Sequence, residues 1–229
     1  MNRPLAIRTG VAFFLGGMQG VLGWWMVKSG FVDRSDVSQY RLAVHLGMAF
    51  LILGYLVYLA IGLLFPVEPE RDPASRGFRR MGALAHEVIF ITVLSGALVA
   101  GLNAGFGYNE WPLMGEVFVP DDYFYLEPWW LNFFETLGTV QFNHRTMAYL
   151  TILAVAGLWL WSRRVDLAPR ARLSINCLAL MLAIQVGLGI STLLLVVPLE
   201  LAVLHQGGAA LTFCLSLWVM KELRGVPRR

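Results

Sequence analysis

The chain is written in long apolar runs broken by short polar stretches. Runs of about 20 residues rich in Leu, Ala, Val, Ile and Phe recur six times, and a helix of that length crosses a hydrocarbon core of roughly 30 Å. Lipid leaves unpaired backbone groups unsatisfied, so each run is expected to be helical. The pattern predicts helices over 8–27, 40–65, 81–103, 132–162, 173–196 and 199–220. Pro66, Pro69 and Pro73 close the second helix and punctuate the loop behind it, Pro128 precedes the fourth, and Pro198 turns the fifth into the sixth. Composition agrees: 57% of the 229 residues are apolar and 14% charged, outside the usual soluble range. The expected fold is all-α, a polytopic membrane helical bundle with six transmembrane helices.

Charge adds an orientation. Arg3, Arg8, Arg71, Arg76, Arg79, Arg80, Arg163, Arg164, Arg170, Arg172, Lys221, Arg224, Arg228 and Arg229 fall on one side, fourteen of the eighteen basic residues. Only Lys28, Arg34, Arg41 and Arg145 fall on the other. The positive side faces the cytoplasm, so both termini are expected there, or in the matrix of a mitochondrion. The net charge of +3 carries little beyond this segregation, and no aromatic-interleaved basic patch suggests nucleic acid. The first run carries on into further spans with no small-residue cleavage site before them, so it reads as a span, not a cleaved signal. Cys177 and Cys214 stand alone in apolar segments, where packing is the simpler reading. The outer loop 104–131 has no Lys or Arg, but it holds Glu110, Glu116, Asp121, Asp122 and Glu127 among aromatic residues that include Tyr108, Trp111, Phe118, Tyr123, Phe124, Tyr125, Trp129 and Trp130. It reads either as an interfacial aromatic belt or as a lid over a site that opens outward.

The histidines supply the chemistry. Ionisable groups inside a bilayer are costly and mark function by default. Of four histidines, His45, His144 and His205 each lie a few residues inside the outer end of an inward-running helix. Counted from the inner ends they stand roughly 24–30 Å up, so they can meet at one level. The segment Gln19-Gly20-Val21-Leu22-Gly23 is echoed by Gln185-Val186-Gly187-Leu188-Gly189, and in each case the next helix brings a histidine. Spans one and two therefore resemble spans five and six, whereas spans three and four have no earlier counterpart. Two facing imidazoles fit the axial coordination of a haem iron. Gly187, Gly189, Gly207 and Gly208 present little bulk to a flat macrocycle, and Arg145, Arg41 and Lys28 are the cations available for its propionates. Structural zinc wants four ligands, and no cysteine or acidic cluster completes such a set. A lone intramembrane histidine can equally be a hydrogen-bonded packing residue, and His45 taken alone reads either way. His86, beside Glu87 and soon after Arg79 and Arg80, reads as interfacial. Gly16 and Gly20 read as close helix packing, and the spacing of Met48, Met114 and Met147 singles none of them out as a soft ligand.

The segments QGVLGWWMVKSG (19–30), VSQYRLAVHL (37–46), SGALVAGLNAG (95–105), NEWPLMGE (109–116), VQFNHRTMAY (140–149) and QVGLGISTLLLVVPLELAVLHQ (185–206) together resemble the haem A synthase family, in its proteobacterial and mitochondrial branch. The resemblance implies a membrane oxidoreductase that converts the methyl group of haem O to the formyl group of haem A for cytochrome oxidase. It implies two four-helix halves. Residues 1–66 would be the last two helices of an N-terminal, substrate-haem half, 67–80 a cytoplasmic loop, and 81–229 a complete C-terminal half. His144 and His205 would be axial ligands of a resident haem b, with Arg145 beside it, and His45 would stand on the side of the substrate, haem O. The family pattern places two further helices earlier, bringing a second histidine and a catalytic glutamate one turn before it. Here Gln141 stands at the equivalent spot of the second half, and Met1 falls just before the third helix, so the first pair is expected to be missing. Implied partners are haem O, membrane lipid, haem O synthase and cytochrome oxidase assembly factors, with a homo-oligomer also compatible. The implied location is the bacterial inner membrane, or the mitochondrial inner membrane in a eukaryote. The rival readings are a bis-histidine cytochrome b that only transfers electrons and a non-catalytic haem-handling assembly factor.

Overall fold

The computed structural model describes residues 3–30, 37–65 and 74–224. Met1, Arg34, Pro66, Pro69, Arg71, Pro73, Arg228 and Arg229, on which parts of the sequence reading rest, lie outside the described residues. The described chain forms α1 (Arg3–Gly30), α2 (Gln39–Leu64), α3 (Arg76–Gly101), the single turn α4 (Asn132–Glu135), α5 (Leu137–Ser162), α6 (Pro169–Leu194) and α7 (Leu199–Arg224). Among the described residues there is no strand, and the fold is all-α as expected.

Several ends differ from the apolar pattern, α1 starting at Arg3 and α6 at Pro169 among them. The α3 helix starts at Arg76, five residues before the predicted 81, because Ser75 Oγ accepts the Phe78 N–H at 3.3 Å and caps a turn made of arginines. The α7 helix likewise runs past the predicted 220 to Arg224. Arginine is a good helix former whose stem lies on apolar surface while its head reaches water, so both turns continue the helix beyond the apolar run. The predicted helix 132–162 is broken at Thr136, whose backbone is extended (φ −91°, ψ 124°). Before the break, Asn132 is fully buried and its side chain bonds the backbone of Leu126 and Trp129. Glu135 accepts from Gln39 Nε2 at 2.9 Å and Tyr40 Oη at 2.6 Å. These ties set α4 on the loop and on α2, out of line with α5.

By length and hydropathy α1 (over Arg3–Lys28), α2, α3, α6 and α7 can each cross a membrane. The α5 helix has the length, but Gln141, Asn143, His144 and Arg145 crowd its first turns and lower its hydropathy. The helices α3, α5, α6 and α7 form a ring in which α5 and α7 stand diagonally, each packed on both α3 and α6. The α2 helix lies along α3 and α7, and α1 packs mainly on α2. Glycines set these approaches: a Cβ at Gly47 would meet Leu94 of α3 at 2.9 Å, and one at Gly54 would meet Phe213 of α7 at 3.3 Å.

The packed core fills only one half of the ring. Phe78, Ala85 and Ile89 come from the first half of α3, and Ala154, Val155 and Leu158 from the second half of α5. Ala171, Ile175, Leu178 and Leu182 come from the first half of α6, and Phe213, Leu217, Val219 and Leu223 from the second half of α7. At the opposite end, residues 183–194 contain no buried residue, and Gly208 is the one buried residue in 199–211. Hydrophobic side chains interlock at the arginine-rich end, whereas at the histidine end Ala97 and residues 138–141 are buried while 183–194 and most of 199–211 keep accessible surface.

Candidate functional site

Each of the three outer histidines rests its ring edge on a glycine of a neighbouring helix. A Cβ on Gly96 of α3 would meet His144 Cε1 at 3.1 Å, one on Gly189 of α6 would meet His205 Cε1 at 2.8 Å, and one on Gly23 of α1 would meet His45 Cε1 at 3.1 Å. Contacts so short exclude alanine unless the ring moves. Each ring also has a polar neighbour on that same helix. Ser95 Oγ lies 2.8 Å from His144 Nδ1, and Gln185 Nε2 lies 3.1 Å from His205 Nδ1. Gln19 Nε2 lies 3.2 Å from His45 Nδ1. Gln185 and Gln19 each also donate to the backbone carbonyl of their histidine, at 2.8 and 3.1 Å. The echo read in the sequence is therefore a physical cage, a glutamine one turn before a glycine, closing on an imidazole. Sequence reasoning missed the third version built from Ser95 and Gly96. Its available signal was the same four-residue step, Thr92 to Gly96, in a helix that packs on α5.

The ring of four separates the histidines as two and one. His144 and His205 stand on its diagonal helices, α5 and α7. His144 is partly buried and keeps accessible surface. His45 faces Gly23 of α1, whereas Gly47, two residues on, faces α3. His45 thus belongs to the α1–α2 hairpin, apart from the pair. His86, read as interfacial from its sequence neighbours, has partners on α7. Its Nδ1 lies 2.8 Å from Ser216 Oγ and its ring 4.8 Å from that of Phe213, so it packs between α3 and α7.

The residues around the pair suit a haem. Two imidazoles are the protein's share of a bis-histidine iron, since the porphyrin supplies the other four nitrogens. Among the described residues no three of His, Cys, Asp or Glu gather to hold a bare metal ion. The glycine cradles let the ring edges approach α3 and α6 closely. Buried polar atoms without partners cluster here as well: Gln141 Oε1, Arg145 Nε and Gln185 Oε1, with Gln19 Oε1 in the hairpin cage. Leaving such a group unpaired costs about 1–3 kcal/mol.

Above the pair the loop 104–131 is pinned to α5 and α6. Arg145 donates from Nη1 to the Leu113 carbonyl and from Nη2 to the Tyr108 carbonyl, both at 3.0 Å, while its buried Nε is the one guanidinium nitrogen without a partner. Gln141 Nε2 donates to the same Tyr108 carbonyl at 2.9 Å. Tyr123 Oη donates to Asn143 Oδ1 at 3.0 Å, and Asn109 Nδ2 donates to the Leu193 carbonyl at 3.0 Å. Met114 is buried within the loop itself. Lys28 and Arg41 lie over the rings of Trp24 and Trp25, at 4.6 and 5.0 Å, in the hairpin and not in the ring of four.

Relatives carry the same architecture in name. The chain is 48% identical over 225 residues to a heme A synthase of Nitrosospira multiformis, covering 98% of this chain and 63% of that protein. It is 44% identical over 225 residues to a heme A synthase of Nitrosomonas eutropha, covering 97% of this chain and 63% of the relative. To human heme A synthase COX15 it is 42% identical over 219 residues, covering 92% of this chain and 53% of the human protein. The chain thus spans between half and two thirds of the length of these relatives. The family model COX15-CtaA, described as cytochrome oxidase assembly protein, matches residues 1–217. On that match and those identities, the chain belongs to the COX15-CtaA family of cytochrome oxidase assembly proteins.

Proposed function

We propose that this chain serves as a haem A synthase, oxidising the methyl group of haem O to the formyl group of haem A for cytochrome oxidase. In this reading it spans the bacterial inner membrane six times, α5 included, with both termini on the cytoplasmic side. Residues 81–229 form a haem b half and residues 1–66 the last two helices of a substrate half. The observation that carries it is the pair of glycine-cradled imidazoles, His144 and His205, on the diagonal helices of a ring whose hydrophobic core lies at the other end. The names of the relatives point the same way.

Haem b, when bound, supplies the electron-transfer chemistry, and the protein sets ligands, orientation and access. His144 and His205 would hold its iron, and the free Nε–H of Arg145 would meet a propionate while the other two nitrogens keep the loop closed. The closed loop excludes water from the outer end. His45 would face haem O from the α1–α2 hairpin. The conversion adds one oxygen to the methyl carbon and removes two hydrogens, a four-electron oxidation in total, so the haem O side requires an acceptor that this chain's residues do not provide.

The test is pigment analysis of the purified protein together with rescue of a strain unable to make haem A. The expected result is haem b accompanied by haem O or haem A, with haem b lost in His144→Met and His205→Met. Variants that bind pigment with an unchanged spectrum would remove the proposed site. A second reading, a cytochrome b that only transfers electrons, is favoured by one observation: the other three histidines are engaged away from His45. Haem b alone, with no haem O or haem A and no rescue, would select it. Arg145→Leu is expected to weaken haem retention, and undiminished retention would remove the propionate contact.

A further inference from the structure

We infer that Ser95 is a positioning residue for His144, holding the ring hydrogen on Nδ1 and so keeping Nε2 free to coordinate iron. The inference rests on the haem reading above. A serine hydroxyl has one hydrogen. Ser95 Oγ lies 2.8 Å from the Thr92 carbonyl oxygen and 2.8 Å from His144 Nδ1. Were the hydrogen aimed at Nδ1, two oxygens would face each other at 2.8 Å with nothing between them, a repulsive contact at hydrogen-bond distance. The hydrogen therefore goes to Thr92, and Oγ accepts from Nδ1–H. The group that faces Nδ1 is thus an acceptor. A neutral imidazole carries one ring hydrogen, so the lone pair stays on Nε2, the nitrogen a metal can take.

His205 is held differently. At its Nδ1 stands the Gln185 side-chain amide at 3.1 Å, oriented by its 2.8 Å bond to the His205 carbonyl. A donor faces that nitrogen, and Gln185 Oε1 has no partner. His144 is the preset ligand, and His205 takes its hydrogen placement as the site fills. A control lies elsewhere in the fold. Ser216 Oγ donates to the Phe213 carbonyl at 2.7 Å and sits 2.8 Å from His86 Nδ1, the same arrangement on a histidine outside the site.

The experiment compares the full chain in its membrane-purified form with Ser95→Ala, Ser95→Thr and Ser216→Ala. It measures haem transfer to an excess of a haem-scavenging globin, the midpoint potential and the low-spin absorption spectrum. Losing a partner of a metal-bound imidazole typically lowers affinity 10–100-fold, so Ser95→Ala is expected to lose haem at least about tenfold more readily. Its potential should rise, because an imidazole without its acceptor donates less charge to the oxidised iron. Ser95→Thr keeps the hydroxyl and should restore both readings, while Ser216→Ala should leave potential and spectrum unchanged. A Ser95→Ala protein with wild-type affinity and potential overturns the inference, as does an equal shift in Ser216→Ala. A wild-type protein without haem b would instead sink the haem reading, and this inference with it.

Discussion

The α1–α2 and α6–α7 hairpins carry the same cage in different settings. In both, a glutamine amide and a glycine one turn later close on an imidazole of the following helix. The α6–α7 hairpin is built into the ring of four, and its arginine-rich end interlocks with α3 and α5 through Ile175, Leu178, Phe213 and Leu217. The α1 helix leans mainly on α2, its most apolar window has no buried residue, and Phe13, Phe14 and Trp24 point outward. A cage for a histidine is therefore a local device, specified by two helices and a four-residue step. What distinguishes the hairpins is whether the imidazole stands within the ring of four.

The sharpest way to break this comparison is to fill the two cradles in turn. Gly189→Val should displace the His205 ring and abolish haem b retention, because an added Cβ already meets that ring at 2.8 Å. The matching change Gly23→Val displaces His45 and should leave haem b in place, affecting only haem O or haem A content. Loss of haem b from both would show that the two sites are one. The next effect concerns stability. Leu158 is fully buried in the ring, so Leu158→Ala should cost about 2–5 kcal/mol of unfolding free energy. Phe13 is 86% exposed on α1, and Phe13→Ala should fall within about 0.5 kcal/mol of wild type. Denaturation of the two variants in one detergent separates a ring that carries the stability from a hairpin that adds to it.

The two regions also differ in how far the sequence reveals them. The long helices are legible because a 20-residue apolar run has one stable form in lipid. Their ends are less legible, since Arg76, Arg79 and Arg224 look like loop by polarity but extend helices whose arginine heads reach water. The break at Thr136 cannot be read locally, because it depends on Glu135 meeting Gln39 and Tyr40, more than ninety residues earlier in the chain. His144 and His205 stand out because imidazoles at that depth are costly without a task. Ser95 does not, since a serine before a glycine in an apolar run has the look of helix packing, and its meaning depends on which oxygen receives its single hydrogen. The packing of His86 is hidden for a related reason. Glu87, Arg79 and Arg80 are visible beside it in sequence, whereas Ser216 arrives from α7.

The smaller effects concern the loop that covers the ring and has no counterpart over the hairpin among the described residues. Asp122 reaches from this loop to the start of α5, accepting the Gly138 N–H at 3.2 Å on one carboxylate oxygen and the Tyr108 hydroxyl at 3.2 Å on the other. A Cβ at Gly138 would fall on that carboxylate, so glycine is what lets a remote aspartate cap the helix. Asp122→Ala should cost about 1 kcal/mol, the usual size of a lost N-cap, and should show first as faster proteolysis within 104–131. Tyr108 gives the loop a weak dependence on pH. Burial, and then the nearby Asp122 carboxylate, push its phenol above the usual tyrosine value. In the released loop the phenol ionises near pH 10, while in the closed loop it still holds its proton. Closure is therefore at full strength below about pH 10 and weakens as the pH rises towards the raised value, because ionisation draws the released form. Tryptophan fluorescence from Trp111, Trp129 and Trp130 should register this opening as a step in alkaline titration. Tyr108→Phe, which keeps the ring and removes the titrating group, should lack the step, and its persistence there would assign the opening to another residue.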